Sequence, residues 1–350
     1  MNWTKNLLNW YKENKRTFLW RTTKDPYKIW LSEIILQQTR TVQGSPYYEK
    51  FIAAFPTVSE LAHAREEEVL KLWQGLGYYS RARNLHATAK FIYKEHKGFF
   101  PTNFDGLLSL KGVGDYTASA IASICYNQPH AVVDGNVYRF LSRFFGIDTP
   151  INSSGAHRIF KQKAQMLMDR TQPGAFNQAM MDFGSLQCTP KQPKCLSCPF
   201  VSKCIAFNQN KVGVLPVKRG KVKVTERYLN YIILNDPKGN TLMEQRLGKG
   251  IWQNLFQFPL VETSEKGSNS ILILEKFQEN YLSIADLKEV KLWNKTPVVH
   301  KLSHQKLHIQ FWTGNYPKLL KNGLGIKEIK KLPVPIVLQN FIENFFNIKE

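Results

Sequence analysis

Apolar and polar positions along this chain keep two different periods. Over the first two hundred residues the apolar side chains recur every three or four positions. Segments 66–72, 81–93, 118–125 and 137–145 read as short helices punctuated by Pro and Gly, and alternation typical of strands is scarce. Past residue 225 the period shortens to two. Segments 228–234, 241–245 and 307–312 read as strands, separated by turns such as Asp236-Pro237-Lys238-Gly239. Between the two regimes, 212–224 carries Pro216 with Lys218, Arg219, Lys221 and Lys223, and reads as an extended basic linker. The pattern predicts a helical module joined to a smaller α+β module, with no internal repeat and no low-complexity block.

Composition narrows the partners. A chain of 350 residues can bury one large or two ordinary cores, and 43% apolar residues is a globular share. With no signal-peptide pattern and no 18-residue apolar run, a cytoplasmic protein that does not enter a membrane is expected. The formal charge of +21, from 48 basic and 27 acidic residues, favours a polyanion, DNA or RNA before all others. No long basic amphipathic helix is present to carry membrane binding. Four of the five cysteines, Cys188, Cys195, Cys198 and Cys204, stand as C-x6-C-x2-C-x5-C. In a reducing compartment such a group binds metal more readily than it forms disulfides. One short pair with looser outer spacings fits a [4Fe–4S] cluster better than a four-thiolate zinc site, and zinc stays open as the alternative. Cys125, in an apolar helical stretch, reads as a buried free thiol.

Several segments offer chemistry beside a plain structural reading. Leu110-Lys111-Gly112-Val113-Gly114-Asp115-Tyr116 lies between two helical patterns. It is either an ordinary tight turn or one whose backbone N–H groups receive a phosphate oxygen. Asp115 suits a helix cap, but its charge opposes a phosphate. Asp134, before Gly135-Asn136, is either an N-cap or a functional carboxylate. Glu33 stands in Ile29-Trp30-Leu31-Ser32-Glu33-Ile34-Ile35-Leu36, apolar on nearly every side, where a carboxylate is rarely found without a partner or a purpose. A desolvated Glu holds a proton for transfer while a hydrogen-bonded Asp stays ionised, and such a pair suits cleavage of a glycosidic bond. Tyr78 and Tyr79, on the Gly75–Gly77 turn, are either core tyrosines or a wedge for a base stack. His300, His304 and His308 recur every four residues, but alternation around Leu307, Ile309 and Phe311 makes this stretch strand, so a nucleic-acid contact by His304 is expected rather than a metal site.

Taken together, 32–39, 75–81, 133–137 and the four-cysteine segment closely resemble the A/G-specific adenine DNA glycosylases, the MutY family of helix-hairpin-helix glycosylases; the likeness runs from about residue 3 to about 347. The resemblance implies a multidomain fold. Residues 1–210 would form an all-α glycosylase module, with a six-helix barrel over about 25–130 and an iron–sulfur cluster region built from 1–24 and 131–210. A basic linker over 211–226 would lead to a Nudix-like α+β lesion-recognition domain over 227–350. It implies excision of adenine opposite 8-oxoguanine or guanine in duplex DNA, by a monomer in a bacterial cytosol carrying one [4Fe–4S] cluster. Glu33 would protonate adenine, Asp134 would stabilise the oxocarbenium ion, and Tyr116 and Asn136 would position them. Trp20 and Arg21 would flank the adenine pocket, and Gln38, Leu76 and Tyr78 would wedge beside the orphaned lesion. Thr39, Arg81, Gly112 and Gly114 would contact DNA, as would Leu302, Ser303 and His304, where Leu302 replaces the phenylalanine common in the family. Related bifunctional enzymes carry a Schiff-base lysine where this chain has Tyr116, so a predominantly monofunctional glycosylase is implied. No metal-binding Nudix run occurs between Gly239 and Gly267, so the second domain is expected to read DNA rather than hydrolyse nucleotides. The rival readings are a bifunctional pyrimidine-lesion glycosylase and lyase, and a non-enzymatic iron–sulfur DNA-binding protein.

Overall fold

The computed structural model describes residues 3–220, 223–264, 269–284 and 286–347. It resolves into two compact units, one of 1–64 with 83–220 and one of 65–82 with 221–350. The first is helical. Its helices form where the sequence sets both face and ends. Gly135–Phe145 is capped by Asp134, stops at Gly146 in the left-handed region, and buries Val137, Phe140, Leu141 and Phe144 along one stripe. Pro26–Leu36 starts on Asp25, whose side chain accepts from Tyr27 N, with Pro26 in the first turn. An aromatic core joins the N-terminal helix Trp3–Asn14 to Gly135–Phe145 and Pro173–Leu186, with Phe160, Phe176, Phe183 and Phe200 fully buried. Trp3 stacks on Phe140 at 5.5 Å. Burying each such ring contributes roughly 1.5–3 kcal/mol.

The basic segment is not wholly extended. Up to residue 220 it belongs to the helical unit, where Leu215 is buried, Arg143 Nε donates to its carbonyl at 3.0 Å, and Ile151 N donates to Val217 O. Lys221 lies outside the described residues.

The second unit is α+β. Strands β1 (Thr225–Asn235), β4 (Leu260–Thr263), β5 (Lys291–Leu292), β6 (Val298–Lys301) and β7 (Gln305–Asn315) make one sheet, and β2 (Glu244–Gln245) pairs with β3 (Phe256–Gln257). β1 and β7 run parallel with Tyr231 opposite Phe311, and β4, β5 and β6 are antiparallel to their neighbours. Helix Ile336–Asn347 covers this sheet, with Phe341 stacked on Phe311 at 3.9 Å. His300 and His308 sit on the antiparallel strands β6 and β7 with His304 in the turn between them, so their four-residue recurrence is a hairpin and not a helix face.

The expectation of an iron–sulfur cluster region as part of this fold does not hold. Among the described residues no group of three or more His, Cys, Asp or Glu side chains is placed to hold a metal ion, and Cys188, Cys195, Cys198 and Cys204 are free thiols. The segment takes its shape from other contacts. Successive turn hydrogen bonds run Cys198 N to Cys195 O, Val201 N to Cys198 O and Cys204 N to Val201 O. Gln187 Nε2 donates to Lys194 O at 2.6 Å, Arg139 to Cys188 O, and Arg143 to Thr189 O and Pro190 O. What the fold contains is an all-α unit and an α+β unit.

Candidate active site

Within the helical unit, a cavity of about 780 Å³ is lined from four parts of the chain: 16–21, 29–42, 116–136 and 178–185. Trp20, Arg21, Glu33, Gln38, Thr39, Tyr116, Asp134 and Asn136 all face it, so the structure gathers eight of the residues that sequence alone singled out. Glu33 projects from the Pro26–Leu36 helix and is 8% exposed. Burial pushes its carboxyl up to about 7; the Tyr116 hydrogen bond and Arg21 work against that rise, and Asp134 adds to it. The Tyr116 hydroxyl also donates to Met181 Sδ at 3.1 Å. One hydroxyl has one proton, so when Glu33 is protonated it donates to Tyr116 while Tyr116 serves Met181.

Asp134 is held differently. Its Oδ1 accepts from Asn136 N at 2.9 Å and Val137 N at 2.8 Å, and its Oδ2 accepts from Asn136 Nδ2 at 2.7 Å. Burial raises this carboxyl, and the three donors at a helix N-terminus oppose the rise. Asn136 Oδ1 in turn accepts from Arg139 Nη2 at 2.9 Å. Two carboxyls facing one cavity do not both ionise freely. Both carboxyls are raised by burial, Glu33 to about 7, and only Asp134 has three donors opposing its rise.

The Arg21 guanidinium is locked. Asp182, with its side chain wholly buried, accepts from Arg21 at 2.6 and 2.9 Å and from Arg16 at 2.5 and 2.8 Å. Burial would raise the Asp182 carboxyl, and the two guanidiniums reverse this and hold it low. Trp20 stacks on Phe18 at 4.7 Å and meets Tyr48 edge-on. Sequence reasoning passed over Asp182 and its neighbours Gln178, Met181 and Ser185, all on the Pro173–Leu186 helix. The signal that exposed Glu33, a carboxylate inside an apolar helix, was equally present in Met180-Met181-Asp182-Phe183.

Gly112 and Gly114 are not in the cavity lining; they form the hairpin before helix Asp115–Tyr126. Gly112 has φ +80°, and a Cβ there would stand 2.9 Å from Asn84 Cβ, so only glycine fits. Asp115 is met by the Lys161 ammonium at 2.7 Å and by His157 Nε2 at 3.4 Å.

The other expected DNA contacts belong to the second unit. Tyr78, at φ +49° and 48% exposed, meets Ser303 Oγ through its hydroxyl at 2.5 Å. Ser303 lies between Leu302 and His304 in the β6–β7 turn, where Leu302 N donates to Gln305 O. Leu76 is buried, and Arg81 braces the loop, with its guanidinium over the rings of Trp73 and Tyr78 and donating to Gly77 O.

Comparison with known proteins agrees with this geometry. Residues 31–166 match the HhH-GPD superfamily of base excision DNA repair proteins, and 230–344 match a NUDIX domain. The adenine DNA glycosylase of Buchnera aphidicola from Schizaphis graminum is 35% identical over 353 residues, covering 97% of each chain. The chain belongs to the adenine DNA glycosylase family. It is a glycosylase of base excision repair. The human adenine DNA glycosylase is 33% identical over 88% of this chain and 66% of its own length. Among solved structures, a thermostable thymine-DNA glycosylase is 28% identical with a TM-score of 0.55, over 59% of this chain and 95% of that one. A trapped endonuclease III–DNA covalent intermediate, 18% identical with a TM-score of 0.52, shares the fold. In this family member, position 116 offers a phenol and no amine for a Schiff base, in keeping with a monofunctional enzyme.

Proposed function

We propose that the substrate is adenine paired with 8-oxoguanine or guanine in duplex DNA, and that Glu33 and Asp134 divide the chemistry. The Glu33 proton passes to a ring nitrogen of the extruded adenine. The C1′–N9 bond then breaks with its electron pair leaving on the base, and the sugar is left as an oxocarbenium ion facing the Asp134 carboxylate. Water adds at C1′, and its proton restores Glu33. Protonation matters because adenine leaves poorly as an anion and well as a neutral base. The observation that carries this reading is the pair itself: a Glu raised to about 7 beside an Asp held by three donors in one cavity.

The test is single-turnover excision from duplexes with adenine opposite 8-oxoguanine, by wild type, Glu33→Gln and Asp134→Asn. Both variants are expected to bind DNA and to lose excision by about a hundredfold or more. Binding with undiminished excision in both would overturn the assignment. Monomeric action in a bacterial cytosol is part of the same proposal.

A cofactor is a separate proposal. The four cysteines line one small cavity with Phe140, Phe144 and Phe200, a donor set that fits one [4Fe–4S] cluster formed as the cofactor loads rather than on a preassembled site. Bound, it would staple this loop, leaving the glycosidic chemistry to Glu33 and Asp134. Iron, zinc and sulfide analysis of the purified protein tests it.

A further inference from the structure

The segment that carries Tyr78 is bound at four places to the C-terminal part of its own unit. Lys71, in the last turn of helix Glu66–Leu72, donates from Nζ to Lys330 O at 2.8 Å and Leu332 O at 2.9 Å. Gln74 uses both ends of its carboxamide: Nε2 donates to Gln339 Oε1 at 2.5 Å and Oε1 accepts from Val334 N at 3.4 Å. Asn254 Nδ2 donates to Glu66 Oε1 at 2.5 Å, and Tyr78 meets Ser303. The contacts close a ring. Residues 330–339 lead into helix Ile336–Asn347, whose Phe341 stacks on Phe311 of β7, and β7 begins at the turn that holds Ser303.

We infer that Lys71 and Gln74 are positioning residues for lesion discrimination, clamping the Tyr78 loop to the frame that presents Ser303. The inference rests on the reading of Ser303 and Tyr78 as lesion contacts. The Tyr78 and Ser303 hydroxyls share one hydrogen bond here, in which one of them donates, so a lesion that takes that donor's proton exchanges the bond for one to DNA. The exchange is selective only if both groups stay at a fixed separation after their mutual bond is gone. The Gly75–Gly77 turn is braced within itself, with Trp73 Nε1 and Arg81 both donating to Gly77 O, but its glycines sit at positive φ and none of these local bonds ties the loop to the frame that holds Ser303. The ammonium of Lys71 does: its two carbonyl acceptors are backbone atoms, which do not swing as side chains do, and hydrogen bonds from a charged donor are the stronger kind.

Full-length Lys71→Met, Lys71→Arg and Gln74→Ala would be compared with wild type on otherwise identical duplexes bearing adenine opposite 8-oxoguanine or opposite guanine, measuring Kd and the single-turnover rate at saturating enzyme. Lys71→Met is expected to reduce the preference for 8-oxoguanine in Kd by about tenfold, the scale of one charged hydrogen bond, with the saturated rate on the guanine duplex unchanged. Gln74→Ala should do the same more weakly, and Lys71→Arg should retain most of the preference. Preference unaltered in Lys71→Met and Gln74→Ala overturns the inference. So does an equal loss on both duplexes, which is what mere destabilisation would give; thermal melts report that directly. A wild type that binds both duplexes equally overturns the lesion reading itself, and this inference with it.

Discussion

Glu33 is ionised only at the expense of its surroundings, and that fixes two pH dependences. As general acid it must be protonated, so the saturated excision rate is expected to be highest below pH 7 and to fall about tenfold per pH unit above about 7, where the raised carboxyl loses its proton. Glu33→Gln should be slow and flat across that range. A wild-type rate that rises through pH 7 would exclude Glu33 as the acid. The same residue links to stability. Its folded value lies above its unfolded one, so its favourable contribution is complete below about 4.5 and is lost as pH rises through about 7. The rise from 4.5 to about 7 corresponds to about 3 kcal/mol at most. Glu33→Gln, which cannot ionise, is therefore expected to be more stable than wild type at pH 8 and to converge with it near pH 4. Urea denaturation at the two pH values checks this, and a variant less stable at pH 8 contradicts it.

At the scale of elements, Pro173–Leu186 organises the site from outside it. Asp182 locks Arg16 and Arg21, and Gly184 lets the helix approach Asn136: a Cβ on Gly184 would stand 2.6 Å from Asn136 O and 2.7 Å from its Cβ. Gly184→Ala must push the Asp134-Gly135-Asn136 turn, so the saturated rate is expected to drop about a hundredfold, as for an ångström of misplacement, although residue 184 is absent from the cavity lining. Gly213→Ala, whose Cβ meets nothing within 4 Å, serves as control. This contrast also shows what the chain declares of itself. Helix 137–145 was legible because its apolar stripe and its cap are local, and it extends only to Gly135–Phe145. Glu33 was legible because a charge amid apolar neighbours is anomalous wherever it folds. Gly184 was not, because its constraint comes from a backbone 48 residues away (184 − 136). Likewise 241–245 kept only Glu244–Gln245 as strand, since Thr241 bridges instead to Leu324, a partner no short window contains. The attachment of 65–82 to the second unit depends on Lys71 and Gln74 finding residues more than 250 positions away, and left no periodic trace.

The whole molecule carries +21, and this charge divides affinity from specificity. Lys191, Lys194 and Lys203 are exposed around the cysteine segment, and Lys211, Lys218 and Arg219 follow within the same unit. Such groups neutralise phosphates and release counterions without regard to sequence. On the proposed reading the lesion is recognised otherwise: the duplexes with guanine and 8-oxoguanine opposite adenine have the same phosphates and differ at one base, so a preference between them would come from short-range contacts, for which the proposal names the Ser303 hydroxyl. Salt should therefore act on the two alike. Raising monovalent salt from about 50 to 200 mM is expected to weaken binding to either duplex by about a thousandfold if some six phosphates are engaged. The two plots of log Kd against log salt should run parallel, leaving the ratio of the two affinities constant. Fluorescence anisotropy on both duplexes across that range measures this. Converging lines would mean that part of the discrimination is itself electrostatic, arising from different numbers of phosphate contacts in the two complexes, and would move the source of specificity from the β6–β7 turn to the basic surface.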